Sequence, residues 1–225
     1  MIRPILLAAC FVVSGAVAQA AQIIFTINGV VTESTVSGYA ASDPISIIFV
    51  ANSSIENTWP PAGGDYQWSE EETSEPEIFS HVSFTGSSGV WTRPSAPESG
   101  LGVFDNVADD IFWSAGLDEA SAQTGLTIGT EPVTYILAQG RVEDSPFVYG
   151  TDPVTIEDYF SSYMGTHDLT PYPPGTESYI QLLNGQRITF EVADFNITTV
   201  PEPSSCAILL GGLVLSAFHR RRSSV

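Results

Sequence analysis

Between residues 22 and 199 the apolar positions fall in short runs divided by Gly, Pro, Asn and Ser. Runs of that length, bounded by turn-forming residues, predict strands. Residues 22–31 are the first predicted strand, and Asp43-Pro44 marks a turn. The run 45–51, apolar except for Ser46, suits a strand buried on both faces. Residues 52–76 read as loop, with Pro60-Pro61, Gly63-Gly64 and the acidic run Glu70-Glu71-Glu72. In the next strand Ile78, Ser80, Val82 and Phe84 share one side, and Phe79, His81 and Ser83 the other. Shorter strands are predicted at 90–93, 101–104, 111–114 and 126–128, and a longer one at 133–142.

One helical period interrupts the series. Asp152-Pro153 offers an N-cap and a first-turn proline, and Ile156, Tyr159, Phe160, Tyr163 and Met164 recur at three- and four-residue spacing before Gly165. The clearest hairpin is 178–183, Asn184-Gly185, 186–198, with a type I′ turn at Asn-Gly. Along its second arm Ile188, Phe190 and Val192 alternate, then the phase shifts to Phe195 and Ile197, which predicts a bulge near Ala193-Asp194. Many short strands with a turn every ten residues or so predict an all-β, antiparallel β-sandwich or jelly-roll-like domain with one short helix. A mixed α+β domain is the alternative.

Both ends of the chain depart from this pattern. Residues 1–20 carry Arg3, an apolar run 5–17 and Ala18-Gln19-Ala20, the features of an export signal helix. Residues 200–225 hold three parts: Pro201-Glu202-Pro203, the uncharged run 206–218, and Arg220-Arg221-Arg222. The two prolines enforce an extended, stiff peptide that cannot join a helix. Thirteen helical residues span only about 20 Å against a hydrocarbon core of about 30 Å. Three consecutive arginines can snorkel from such a short transmembrane helix and mark its cytoplasmic side.

This order of motif, short span and basic end resembles the PEP-CTERM sorting signal of Gram-negative bacteria. The resemblance implies export, transient anchoring in the inner membrane, and recognition by an exosortase that cuts near the motif. Pro201, Glu202 and Pro203 match the recognition motif, and Arg220, Arg221 and Arg222 the basic end. It further implies delivery to the cell surface or extracellular matrix, with extracellular polysaccharide as a partner. Three units follow: signal peptide 1–20, ectodomain 21–199 and sorting signal 200–225.

Charge sharpens the picture of the ectodomain. The chain has a net charge of −19, no lysine and seven arginines. Only Arg93, Arg141 and Arg187 fall between the signal and the tail, together with every acid except Glu202. Such a surface repels nucleic acid and anionic lipid and attracts divalent cations. The two cysteines, Cys10 and Cys206, lie in the terminal segments, so the domain can hold no disulfide, no Cys-ligated zinc and no thiol nucleophile.

Candidate chemistry is sparse, and a non-enzymatic protein without a cofactor is the expectation. Asp105, Asn106, Asp109 and Asp110 cluster hard oxygen donors between two predicted strands, a candidate calcium site without EF-hand spacing. Trp59 and Trp68, in the Pro/Gly-rich stretch, are candidate glycan contacts of a carbohydrate-binding module, whereas Trp91 and Trp113 fall in strand-like runs that suit a core. Glu157-Asp158 reads as a solvated helix face. His81 and His167 belong to no ligand or catalytic pattern, and no Gly-x-Ser-x-Gly elbow is present. A calcium-dependent hydrolase is the third reading, after these two.

Overall fold

The computed structural model describes residues 22–56, 66–70, 77–92, 99–105, 111–117, 124–142, 154–169 and 177–200. Along the chain run β1 (Gln22–Ser34), β2 (Pro44–Asn52), β3 (Tyr66–Glu70), β4 (Phe79–Phe84), β5 (Ser88–Gly89), β6 (Ser99–Asp105), β7 (Ile111–Leu117), β8 (Leu126–Ile128) and β9 (Glu131–Val142). Helix α1 (Ile156–Phe160) and a 3-10 turn, Ser161–Tyr163, follow, then β10 (Gly165–Asp168), β11 (Ser178–Leu182) and β12 (Arg187–Val200). The fold is all-β, and its strand pairs are antiparallel. Nine strands follow one path, β3-β6-β7-β9-β11-β12-β1-β2-β4, with β10 on β12 and the small β5-β8 ribbon on β9. The predicted signal and transmembrane helices lie outside the described residues.

The middle of this path is built from the two strands furthest apart in sequence. β1 and β12 pair from Gln22↔Val200 to Ser34↔Ile188. Alternation explains why they close a core: Ile23, Phe25 and Ile27 on β1 face inward beside Phe195 and Ile197 on β12, all essentially fully buried. On β2, Ile47, Phe49 and Ala51 continue the same layer. The sheet folds over on itself, sandwich fashion. Phe160 of α1 meets Phe25 edge-on at 4.8 Å, and also lies 5.7 Å from Trp68 on β3, at the far end of the path. A ring between two strands in this way fits the spacing of about 10 Å between packed sheets.

The predicted bulge is present. The register steps from Asn28↔Asp194 to Gly29↔Val192, leaving Ala193 unmatched on β1, and the Ala193 carbonyl accepts from the Leu169 amide at 2.7 Å instead. Gly29 sits at this step because a Cβ there would overlap the Glu191 carbonyl oxygen.

Four local expectations are corrected. First, the run 45–51 is not buried on both faces: Ile45, Ile47, Phe49 and Ala51 are buried, while Ser46, Ile48 and Val50 are half-buried, because only one side of β2 faces the core. Second, β4 carries a bulge at Ser80, between Val50↔His81 and Ala51↔Phe79, which moves Phe79 inward with Val82 and Phe84.

Third, Asn184 does not adopt positive φ, so the turn is not type I′. Gly185 alone is left-handed (φ 82°) and donates to the Leu182 carbonyl, and Leu182 donates to the Gln186 carbonyl. That is a type I turn closed by a glycine bulge. Fourth, the helix is capped by Thr155, whose hydroxyl accepts from the Asp158 amide, and Asp152-Pro153 lie outside the described residues. Ile156, Tyr159 and Phe160 are buried as their spacing predicts.

Candidate functional site

Register decides which end of the domain presents the tail. Gln22 is paired with Val200 on one side and Asn52 on the other, so the first residue of β1, the last of β12 and the last of β2 share one end of the sheet. Pro201 has no N–H and cannot extend the ladder. The strand therefore stops where the Pro-Glu-Pro sequence begins. Segments 1–20 and 200–225 attach to adjacent strands at a single end of the domain, since neighbouring antiparallel strands lie about 5 Å apart.

That end is closed by α1 and the turn after β2. The Ile156 and Glu157 amides donate to the Ile55 and Ser53 carbonyls at 3.0 and 2.9 Å, and the Ser53 hydroxyl donates to the Glu157 carboxylate at 3.1 Å. The Thr155 hydroxyl donates to the Asp158 carboxylate at 2.8 Å while accepting from its amide, a capping arrangement that favours an acid in the first turn. Glu157 and Asp158 are exposed, as a solvated face requires, but both are bound into the closure of this end.

Trp68 corrects the glycan reading. The stretch 52–76 is not wholly loop, because Tyr66–Glu70 forms β3 and pairs with β6 through Trp68↔Leu101. The Trp68 side chain is fully buried, its indole N–H donates to the Val154 carbonyl at 3.4 Å, and its ring packs against Tyr159 at 5.6 Å. No sugar can stack on that indole. Trp59 lies outside the described residues. Trp91 is buried, and its indole N–H donates to the Phe79 carbonyl at 2.9 Å.

Asp105 ends β6 opposite Ile111 at the start of β7. Asn106, Asp109 and Asp110 lie outside the described residues, and among the described residues no three His, Cys, Asp or Glu side chains converge as a metal site would require. His167 stacks on Phe195 at 5.1 Å with Nε2 2.8 Å from the Tyr163 carbonyl, and exposed His81 faces Val50 across β4 and β2.

One cluster escaped the sequence reading. On the outer face of β9, β11 and β12, Tyr135 stacks on Tyr179 at 5.1 Å, the Arg187 guanidinium lies 3.7 Å from the Tyr179 ring centre, and Arg187 pairs with Glu177 at 3.0 Å. Tyr179 is thus held between a ring and a cation, so the cluster fastens three strands together. The only available signal was Tyr135 and Tyr179 lying in predicted strands, without their registration.

Pro201, Glu202, Pro203, Arg220, Arg221 and Arg222 lie outside the described residues. Among the described residues no helix is long and apolar enough to cross a membrane. The family model described as PEP-CTERM protein-sorting motif matches residues 199–223, which takes in the last two residues of β12, the motif, the apolar run and the arginines. The chain thus carries a PEP-CTERM sorting motif, which supports export and sorting through an exosortase. The match covers the tail and does not classify the domain. No curated protein and no solved structure matches the chain.

Proposed function

We propose that this protein is a non-enzymatic component of the cell surface or extracellular polysaccharide matrix, anchored transiently in the inner membrane by residues 206–218 and released or re-anchored by an exosortase. The observation that carries the reading is the sorting motif at 199–223 set directly on the end of a central strand. A domain tethered by five residues to an apolar segment stands at the membrane until that segment is cut away. The acidic surface suits a soluble particle that does not adhere to anionic lipid. Of the side chains a hydrolase could draw on, Glu157 and Asp158 close the helix end, and His167 is packed against Phe195. With Trp68 in the core, the carbohydrate-binding alternative loses one of its two contacts.

The test is fractionation of the native host producing the full chain or a variant with Pro201, Glu202 and Pro203 replaced by Ala. The parent is expected outside the inner membrane in a shortened form, and the variant in the membrane at full length. A variant sorted as well as the parent defeats the reading.

A further inference from the structure

Two stretches of the chain read Asn-x-Ser/Thr, the pattern of an N-glycan acceptor: Asn52-Ser53-Ser54 and Asn196-Ile197-Thr198. The fold treats them differently. Asn52 is the last residue of β2, and the chain turns directly after it. The Ser54 hydroxyl donates to Asn52 Oδ1 at 2.9 Å, and the Ser54 amide donates to the same oxygen at 3.3 Å. Asn52 Nδ2 has no hydrogen-bond partner among the described residues. Ser53 is fully buried and anchors the turn: its carbonyl accepts from the Glu157 amide at 2.9 Å, and its hydroxyl donates to the Glu157 carboxylate at 3.1 Å. Asn52 is half-buried and Ser54 is exposed, so both side chains that the pattern requires reach the surface. Asn196, by contrast, lies inside β12 with Thr26 of β1 on one side and Thr166 of β10 on the other. Its side chain makes no hydrogen bond to Thr198, which stands about 7 Å further along the extended strand. A transferase must take the acceptor stretch into its own cleft, and this one is fixed in the middle of the sheet.

We infer that Asn52 is the acceptor of an N-linked glycan in the folded domain, and that Asn196 is not. An amide nitrogen is a poor nucleophile, because its lone pair is shared with the carbonyl oxygen. Two donors aimed at that oxygen stabilise the negative charge that gathers there as the nitrogen gives up a proton. The co-reactant is an oligosaccharide carried on a polyprenyl diphosphate and brought by a transferase. A bond forms between Asn52 Nδ2 and C1 of the sugar. The C1–O bond to the diphosphate breaks, its electron pair leaves with the diphosphate, and one Nδ2 proton passes to a base of the transferase. Such a donor lies in the membrane. Gln22 pairs with Asn52 on one side and Val200 on the other, so Asn52 stands two strand spacings, about 10 Å, from the residue where the tail leaves the fold. A tail that holds the domain at the membrane therefore presents this asparagine to the donor. In this the inference rests on the proposed anchoring.

The test is peptide mass mapping of the protein produced in its native host from the full chain and three variants. The parent is expected to carry a glycan mass on Asn52 and none on Asn196. Asn52→Gln and Ser54→Ala are expected to lose that mass, while Ser54→Thr keeps it, because a threonine hydroxyl makes the same bond to Oδ1. Ser54 is exposed, so Ser54→Ala is expected to melt with the unglycosylated Asn52→Gln protein, which separates loss of the acceptor from loss of the fold. A bare Asn52 in the parent overturns the inference. So does a Ser54→Ala variant that keeps its glycan. A glycan on Asn196 also overturns it, since that residue is reachable only in the unfolded chain. The outcomes separate this inference from the sorting reading. A parent that is shortened and sorted but bare at Asn52 overturns the inference alone. A chain kept at full length in the membrane with a glycan on Asn52 sustains the inference and defeats the processing.

Discussion

At the tip where β1 turns toward β2, the loops are tied to one another by hydrogen bonds; at the opposite end, where Val200 leaves the sheet, the fold is closed by buried aromatic rings. The tip bonds are numerous. The Tyr39 hydroxyl donates to the Thr85 carbonyl at 2.6 Å, Gln186 Nε2 to the Thr35 carbonyl at 2.8 Å, and the Arg187 amide to the Thr35 hydroxyl at 2.8 Å. At the exit end Phe160 meets Phe25, Trp68 and Tyr159, all at the mouth between the folded-over halves of the sheet. Hydrogen bonds at a half-exposed surface add little each, since water competes for the same groups. Buried rings remove large apolar surfaces from water. The end that bears the tail therefore rests on the stronger kind of interaction.

Removing the ring that joins the two halves should break this contrast most. Phe160→Ala is expected to destabilise the exported domain by about 3–5 kcal/mol, the usual cost of emptying a buried phenylalanine site. Urea denaturation followed by tryptophan fluorescence measures it, because Trp68 packs directly on the lost ring. A loss under about 1 kcal/mol would place the closure of this end in the hydrogen bonds that the Ile156 and Glu157 amides donate to Ile55 and Ser53 instead.

The next effect lies between the two ends. Gly29→Ala forces a methyl group onto the Glu191 carbonyl at the bulge, where neither strand can shift without disturbing its own pairs. The expected cost is about 1–3 kcal/mol, typical of overpacking. Hydrogen exchange should quicken on both β1 and β12, from Gly29 toward the tip. Exchange unchanged on β12 would mean that the bulge absorbs the methyl group.

How far these features could be read in advance follows from the range of the interaction. Alternation at Ile188, Phe190 and Val192, and its shift at Phe195, located the Ala193 bulge, because a bulge is recorded in the phase of a single strand. The Ser80 bulge was missed: Ile78 and Phe79 are both apolar, so either phase of β4 offered a buried face. Pro and Gly dominate the neighbourhood of Trp68 and predict a loop, whereas β3 owes its place to pairing with β6, about thirty residues away. The pairing of β1 with β12 leaves no local mark, yet it determines where the tail leaves the fold. The motif itself was fully legible, since its chemistry lies in contiguous residues.

The smallest effect is expected at the tip. Tyr39 is partly buried, and burial raises its phenol above the ordinary value of 10.0 because the phenolate loses hydration. The folded state thus favours the neutral phenol, which also donates to Thr85. A group whose folded value is raised contributes its full stabilisation below about pH 10 and loses it as pH climbs through the raised value. Tyr39→Phe is expected to cost about 1 kcal/mol or less at neutral pH, through the lost hydrogen bond. It should also make stability fall less steeply above about pH 10 than in the parent. Thermal or urea denaturation from neutral pH upward measures both terms. Parallel alkaline slopes for the two proteins would mean that the hydroxyl ionises as freely in the fold as in the unfolded chain, and would leave the tip to the Thr35 and Gln186 bonds.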